Sequence, residues 1–131
     1  MFHQNVTQDI IGAAMNILNA LKPGLDEKLY ERALVIELRH MGHVVEQQTE
    51  FPVFYRGQPI GTLQADLIID GLVVADPKVV SSFNESYIAQ MLSYLNITRL
   101  EVAMLFNFKE ATLHWKHVLN DRKKRPEEFG P

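Results

Sequence analysis

Asp66, Asp76 and Lys78 are charged side chains set into the most apolar part of this chain, residues 65–78. Around them, Leu67-Ile68-Ile69 and Leu72-Val73-Val74-Ala75 read as two strands joined at Asp70-Gly71, a tight-turn signal. Charges inside such runs must be paired, bound to a metal or set in a cleft, because desolvation is costly. Two carboxylates brought together repel unless a cation lies between them, and hard oxygen ligands suit Mg²⁺ or Mn²⁺. A neighbouring lysine can orient or deprotonate a water, or stabilise an oxyanion on phosphorus. That is equipment for hydrolysing a phosphodiester. The plain alternative is a structural Asp–Lys pair at a strand end.

Whether the three residues meet depends on the register of the hairpin. Side chains alternate faces along a strand, and directly paired residues share a face. A strict two-residue Asp70-Gly71 turn would pair Asp66 with Ala75, on the face opposite Asp76 and Lys78. A three-residue loop over 70–72 would set Asp66 directly across from Asp76, and one over 69–71, with Gly71 left-handed, would give the same choice of face. A common site therefore predicts a loop of odd length or a bulge.

The flanking elements must hold this hairpin in place. Apolar residues at three- and four-residue spacing predict a helix over about 8–21, capped by Thr7 or Asn5 and ended by Lys22-Pro23-Gly24. Asp26 is the expected N-cap of a second helix and Gly42 its stop. Val44-Val45 and 49–55 look β-like, and Arg56-Gly57-Gln58-Pro59 is turn chemistry. The hairpin strands are expected at 60–69 and 72–80. Ser82-Phe83-Asn84-Glu85 reads as a capping box opening a third helix to about Asn96. Strands at 100–106 and 111–118 complete the order α-α-β-β-β-α-β-β. The third helix is a crossover, which should leave the 100–106 strand parallel to a hairpin strand. The expected architecture is thus α/β: a mixed β-sheet flanked by helices.

Size and composition bound the rest. The chain has 131 residues, enough for one domain, here expected over 1–121 with a basic then acidic tail at 122–131. It has no cysteine, which excludes disulfides, a zinc ribbon and a thiol nucleophile. No apolar run approaches the roughly 20 residues of a membrane span. The segment Met1-Phe2-His3-Gln4-Asn5 lacks the features of a signal peptide, so the cytoplasm is the expected compartment. The net charge of −3 argues against constitutive tight binding to a phosphate backbone, but not against an enzyme that recruits cations to an acidic site. Arg99, Lys109 and the run Arg122-Lys123-Lys124-Arg125 are the candidates for a basic rim.

The spacing Asp66, then Asp76-x-Lys78, resembles the D…(D/E)xK signature of the PD-(D/E)XK nuclease superfamily. Gly24-Leu25-Asp26-Glu27-Lys28-Leu29-Tyr30 matches GxxExxY, and with Ala65-Asp66-Leu67 and Gln90-Met91-Leu92-Ser93-Tyr94-Leu95 it makes the chain similar to the bacterial GxxExxY protein family, a branch of that superfamily. The resemblance implies a restriction-endonuclease-like fold and a Mg²⁺- or Mn²⁺-dependent nuclease acting on DNA or RNA. It implies Asp66 and Asp76 as metal ligands, Glu27 as a further ligand, Lys78 beside the attacking water, and Gln90 reaching in from one side. Tyr30 would orient Glu27 or simply pack. Three positions depart from the family pattern: Asp76 stands where Glu is usual, Pro77 where an apolar residue with an amide is usual, and Lys22 where a glycine is usual before Pro23-Gly24. Proline inside a central strand predicts a local break or bulge between Asp76 and Lys78. The alternative function is a weakened or inactive member that binds nucleic acid or a protein partner. An exposed edge strand leaves room for a homodimer.

Other candidates are weaker. His114 and His117 fall on opposite faces of the last strand and suit edge structure better than shared metal binding. Ser81-Ser82 lacks nucleophile-elbow glycines.

Overall fold

The computed structural model of the chain describes residues 3–120. Asn120, the last of them, donates its N–H to the Glu101 carbonyl at 3.0 Å. The expected tail at 122–131, with its basic run at 122–125, lies outside the described residues.

Three helices and five strands follow in the expected order: α1 (Gln4–Leu21), α2 (Glu27–His40), β1 (Val45–Tyr55), β2 (Gln58–Ile69), β3 (Val73–Lys78), α3 (Glu85–Thr98), β4 (Val102–Asn107) and β5 (His114–Leu119). The strands lie in sequence order in one sheet, with β3 at its centre. Only the crossover pair β3–β4 is parallel; the other neighbours are antiparallel. This is the mixed, helix-flanked α/β sheet that the sequence predicts.

Alternation along the strands builds two apolar layers. Leu67, Ile69, Val73, Ala75, Met104 and Phe106 face α1 and α2, against Ile10, Ala14, Leu34 and Leu38. Ile68, Val74, Ala103, Leu105 and Val118 face α3, against Met91 and Leu95. Near-continuous apolar strands are what a sheet covered on both faces requires.

Several boundaries move for local reasons. Helix α1 starts at Gln4, and Thr7 lies inside it, its buried hydroxyl donating to the Gln4 carbonyl at 3.0 Å rather than capping. Asp26 is the N-cap of α2 by position, without a side-chain cap bond. Helix α3 starts at Glu85, not Ser82, because the Asn84 side chain takes the cap and accepts from the Tyr87 N–H at 3.1 Å. Gly42 ends α2 at φ +96°, a conformation open to glycine without a Cβ clash.

A histidine links the hairpin turn to the helices. The His43 ring lies 2.6 Å from Asp70 Oδ2 and 2.8 Å from Asp9 Oδ2. Asp70 Oδ1 accepts from the Val44 N–H at 2.8 Å. The Asp70 bond raises the His43 pKa; burial opposes this and Asp9 reinforces it. Burial would raise the Asp70 pKa, but His43 and the Val44 N–H hold it below the usual carboxylate range. His43→Ala is expected to lower stability by about 1–2 kcal/mol. The signs set the window. The His43 contribution is full below its ordinary value of about 6.5 and fades as pH rises through its raised value. The Asp70 contribution is full above the ordinary carboxylate value and fades as pH falls through its lowered one. Urea denaturation of parent and variant from pH 5 to 9 should show their difference shrinking toward pH 9; a constant difference would remove the ionic part of this clamp.

Candidate active site

The hairpin loop has three residues. The last β2–β3 pair is Ile69↔Val73, preceded by Ile68↔Val74 and Leu67↔Ala75. Asp70 and Gly71 both take left-handed backbone, φ +54° and +67°, and the Leu72 N–H closes the turn onto the Ile69 carbonyl at 2.9 Å. Leu72 is the odd residue that shifts the register. One step beyond the Leu67↔Ala75 pair, Asp66 falls opposite Asp76, on the α3 face. The turn chemistry of Asp70-Gly71 thus sets which side chains meet some five residues away.

The site opens where the strands part. The β2–β3 ladder ends at Leu67↔Ala75, and the β1–β2 ladder skips the step joining Asp66 to Gln48. Gln48 has φ +56° there. Ala65 and Ile68 both touch the α3-side cluster, so strict alternation is broken beside Asp66. Pro77 makes no bulge. It stays in register opposite Phe106, and Lys78 opposite Asn107. The expected break is absent because β2 has already left β3 at this level, so little pairing on that side depends on the missing N–H.

Asp76 is 1% exposed, and neither carboxylate oxygen has a hydrogen-bond partner among the described residues. Lys78 Nζ stands 3.3 Å from Asp76 Oδ2, an ion pair without hydrogen-bond geometry. Burial pushes the Asp76 pKa up to about 8; the adjoining Asp66 carboxyl adds to the rise and Lys78 opposes it. Burial acts against the charged form of Lys78, but Asp76, then Glu27 and Asp66, outweigh it and raise its pKa. The Lys78 ammonium also sits 5.3 Å from the centre of the Tyr87 ring, within cation–π range.

The helices supply the rest. Glu27, in the first turn of α2, accepts from the Val79 N–H at 3.2 Å. It lies within electrostatic reach of Lys78 but is not clustered with the two aspartates. Among the described residues, no three His, Asp or Glu side chains form a group that would hold one metal ion. Asp66, Asp76 and Glu27 thus do not close on one point: Glu27 Oε1 is engaged by the Val79 N–H, which leaves the route through water open to it. Gln90 is exposed on α3, and its Nε2 donates to the Tyr94 hydroxyl at 3.1 Å. Burial, then the charges of Asp76 and Asp66, push the Tyr94 pKa up to about 12. Tyr30 does not orient Glu27. It is fully buried, stacks on Phe108 at 4.7 Å, and donates its hydroxyl to the Lys22 carbonyl at 2.6 Å.

Sequence reasoning missed Tyr94, although its spacing of four from Gln90 puts both on one helix face. It also missed Tyr87 and Asn107. The Asn107 side chain braces the chain after Lys78, accepting from the Val80 N–H at 3.2 Å and donating to the Val80 carbonyl at 2.8 Å. Nothing local in the sequence marks that contact. Of the expected basic rim, Lys109 follows β4 at this end of the sheet, its N–H donating to Asn107 Oδ1 at 3.1 Å. Arg99 caps the far end of α3, a full helix length from Asn84, and belongs to another surface.

The central parallel pair, the helices on both faces and the acidic mouth between parted strands define the chain as an α/β domain of restriction-endonuclease-like type. The family model of the PD-(D/E)XK nuclease superfamily matches residues 4–118, and the chain belongs to that superfamily. No curated protein and no solved structure matches it. No helix among the described residues is long and apolar enough to cross a membrane.

Proposed function

We propose that the protein is a phosphodiester hydrolase acting on nucleic acid, DNA or RNA, with Mg²⁺ or Mn²⁺ at the Asp66–Asp76 pair, in the GxxExxY branch of its superfamily. The observation that carries this is Asp76: a carboxylate buried beside a second one, ion-paired at one oxygen with Lys78 and with no hydrogen-bond partner on either oxygen among the described residues. Such a group is destabilising unless it holds a proton or a cation. The donor set suits a hard divalent ion, with Asp66 and Asp76 as ligands and Glu27 joining through water. The bound ion would supply positive charge against the phosphate and make a nearby water more acidic.

The chain's own groups divide the remaining work. Asp76 gives up its proton before it can act as a ligand. Lys78 offers an ammonium to the water or to a non-bridging phosphate oxygen, where negative charge grows as phosphorus is attacked. The Tyr87 ring and the Asp76 carboxylate hold that ammonium in place. Gln90 and Tyr94 act as a pair, the amide fixing the hydroxyl beside the two aspartates.

The test is a cleavage assay on single- and double-stranded DNA and RNA with Mg²⁺ or Mn²⁺, run beside Asp66→Ala. The parent should cleave at least one substrate, and the variant should lose at least about 100-fold. Equal rates would assign the activity to a contaminant. Binding without cleavage in the parent would select the alternative of an inactive member that keeps the fold.

A further inference from the structure

A groove of about 470 Å³ lies beside this site, between the start of α3 and the edge strand β5. Its walls include Phe83 and Ile88 on one side and His114 and Lys116 on the other. That volume falls in the size range of sites for small ligands, roughly 300–1,000 Å³.

The sheet register ties the groove to the aspartates. Lys78 pairs with Asn107, which pairs with His114; Asp76 pairs with Leu105, which pairs with Lys116. His114 and Lys116 therefore continue the two cross-sheet rows that carry Lys78 and Asp76, on the same α3 face. Two strand spacings separate them, about 10 Å. That straight-line separation is one or two nucleotides; because Leu105 and Asn107 between the two ends are buried, a strand joining them would pass around the start of α3.

The lining chemistry is divided. Lys116 and His114 are exposed on the β5 side and suit a phosphate. Phe83 and Ile88 are half-buried and offer an apolar wall to a base or sugar. Glu85, in the first turn of α3, also lines the groove and disfavours a phosphate against the helix, which leaves the β5 side for the backbone. An aromatic wall beside a cation is how single strands are held without sequence readout.

We propose that this groove is a nucleotide subsite for the strand flanking the scissile phosphate, with a phosphate on Lys116 and a base against Phe83. The proposal rests on the nuclease reading and extends it to the form of the substrate. It is tested by fluorescence anisotropy of a labelled single-stranded 12-mer, with Asp66→Asn in every protein to prevent cleavage. Lys116→Glu should weaken binding about tenfold and flatten the slope of log K against log salt by about 0.7, the share of one phosphate contact. Phe83→Ala should weaken binding about fivefold or more. Arg99→Glu makes the same charge change at the far end of α3 and should alter binding less than about twofold.

A second measurement separates the two readings. Bis(4-nitrophenyl) phosphate is a diester too small to span site and groove. With Asp66 intact, parent and Lys116→Glu should hydrolyse it at the same rate. The subsite is overturned if Lys116→Glu binds the 12-mer as the parent does, if Arg99→Glu weakens it equally, or if Lys116→Glu also loses the small diester. Failure of the parent to hydrolyse any diester overturns the nuclease reading itself, and the subsite with it. Lys116→Gln repeats the binding test without charge reversal and should fall between parent and Lys116→Glu.

Discussion

Asp76→Asn is expected to abolish cleavage and at the same time to stabilise the protein. The loss of activity follows from removing a proposed metal ligand, and should reach at least roughly 10²–10³-fold. The gain in stability follows from the same carboxylate. It is 1% exposed, has no hydrogen-bond partner among the described residues, and lies beside Asp66. With a folded pKa of about 8 against an ordinary 3.8, it favours the unfolded state wherever the unfolded chain would ionise it. An amide of the same shape needs no proton and can donate to Asp66. The gain should be on the order of 1–3 kcal/mol at pH 8, or roughly 5–10 °C in Tm. The sign also fixes the pH dependence. Between the two pKa values the unfolded state binds fewer protons, so the metal-free parent loses stability as pH rises from about 4 to 8. Asp76→Asn should show a flatter profile. Calorimetric scans of both proteins in EDTA over that range check this. A variant less stable than the parent would mean that the carboxylate stabilises the fold.

Lys78→Met is expected to reduce cleavage by roughly 10²–10³-fold while leaving cation binding in place. Methionine keeps most of the aliphatic stem and removes the ammonium that lies 3.3 Å from Asp76 and 5.3 Å from the Tyr87 ring centre. What is lost is the proposed donor to the attacked phosphate and, among the described residues, the positive charge that opposes the rise in the Asp76 pKa. Asp76 should then hold its proton to higher pH, so residual activity should reach its plateau at a more alkaline pH than in the parent. A pH–rate series for both proteins at saturating Mn²⁺ would show this. Unchanged kcat and an unchanged profile would reduce Lys78 to a structural partner of Asp76.

Much of the fold was legible because the signals are local. Apolar spacing marks α1 and α2, Gly42 marks a helix end, and the β3–α3–β4 crossover follows from a helix between two apolar runs. The meeting of Asp66, Asp76 and Lys78 was legible only as a condition, an odd loop. The condition is met because Leu72 lies outside the last pair. Pro77 misled because the cost of a missing amide depends on a neighbouring strand, and where β2 leaves β3 is not written at Pro77. Ser82 misled because Asn84 is an equally good cap two residues on. The His43 clamp and the Asn107 brace join positions 27 residues or more apart in sequence, and no spacing rule reaches that far.

Titration of the protein with Mn²⁺ by calorimetry, in two buffers of different ionisation enthalpy, tests the central claim most directly. That claim is that a divalent cation takes the place of the proton held at the Asp66–Asp76 pair. The parent at pH 7 should bind Mn²⁺ and release close to one proton per ion, and Asp76→Asn should bind at least tenfold more weakly with little proton release. Equal binding by both proteins, or none by the parent, would contradict it.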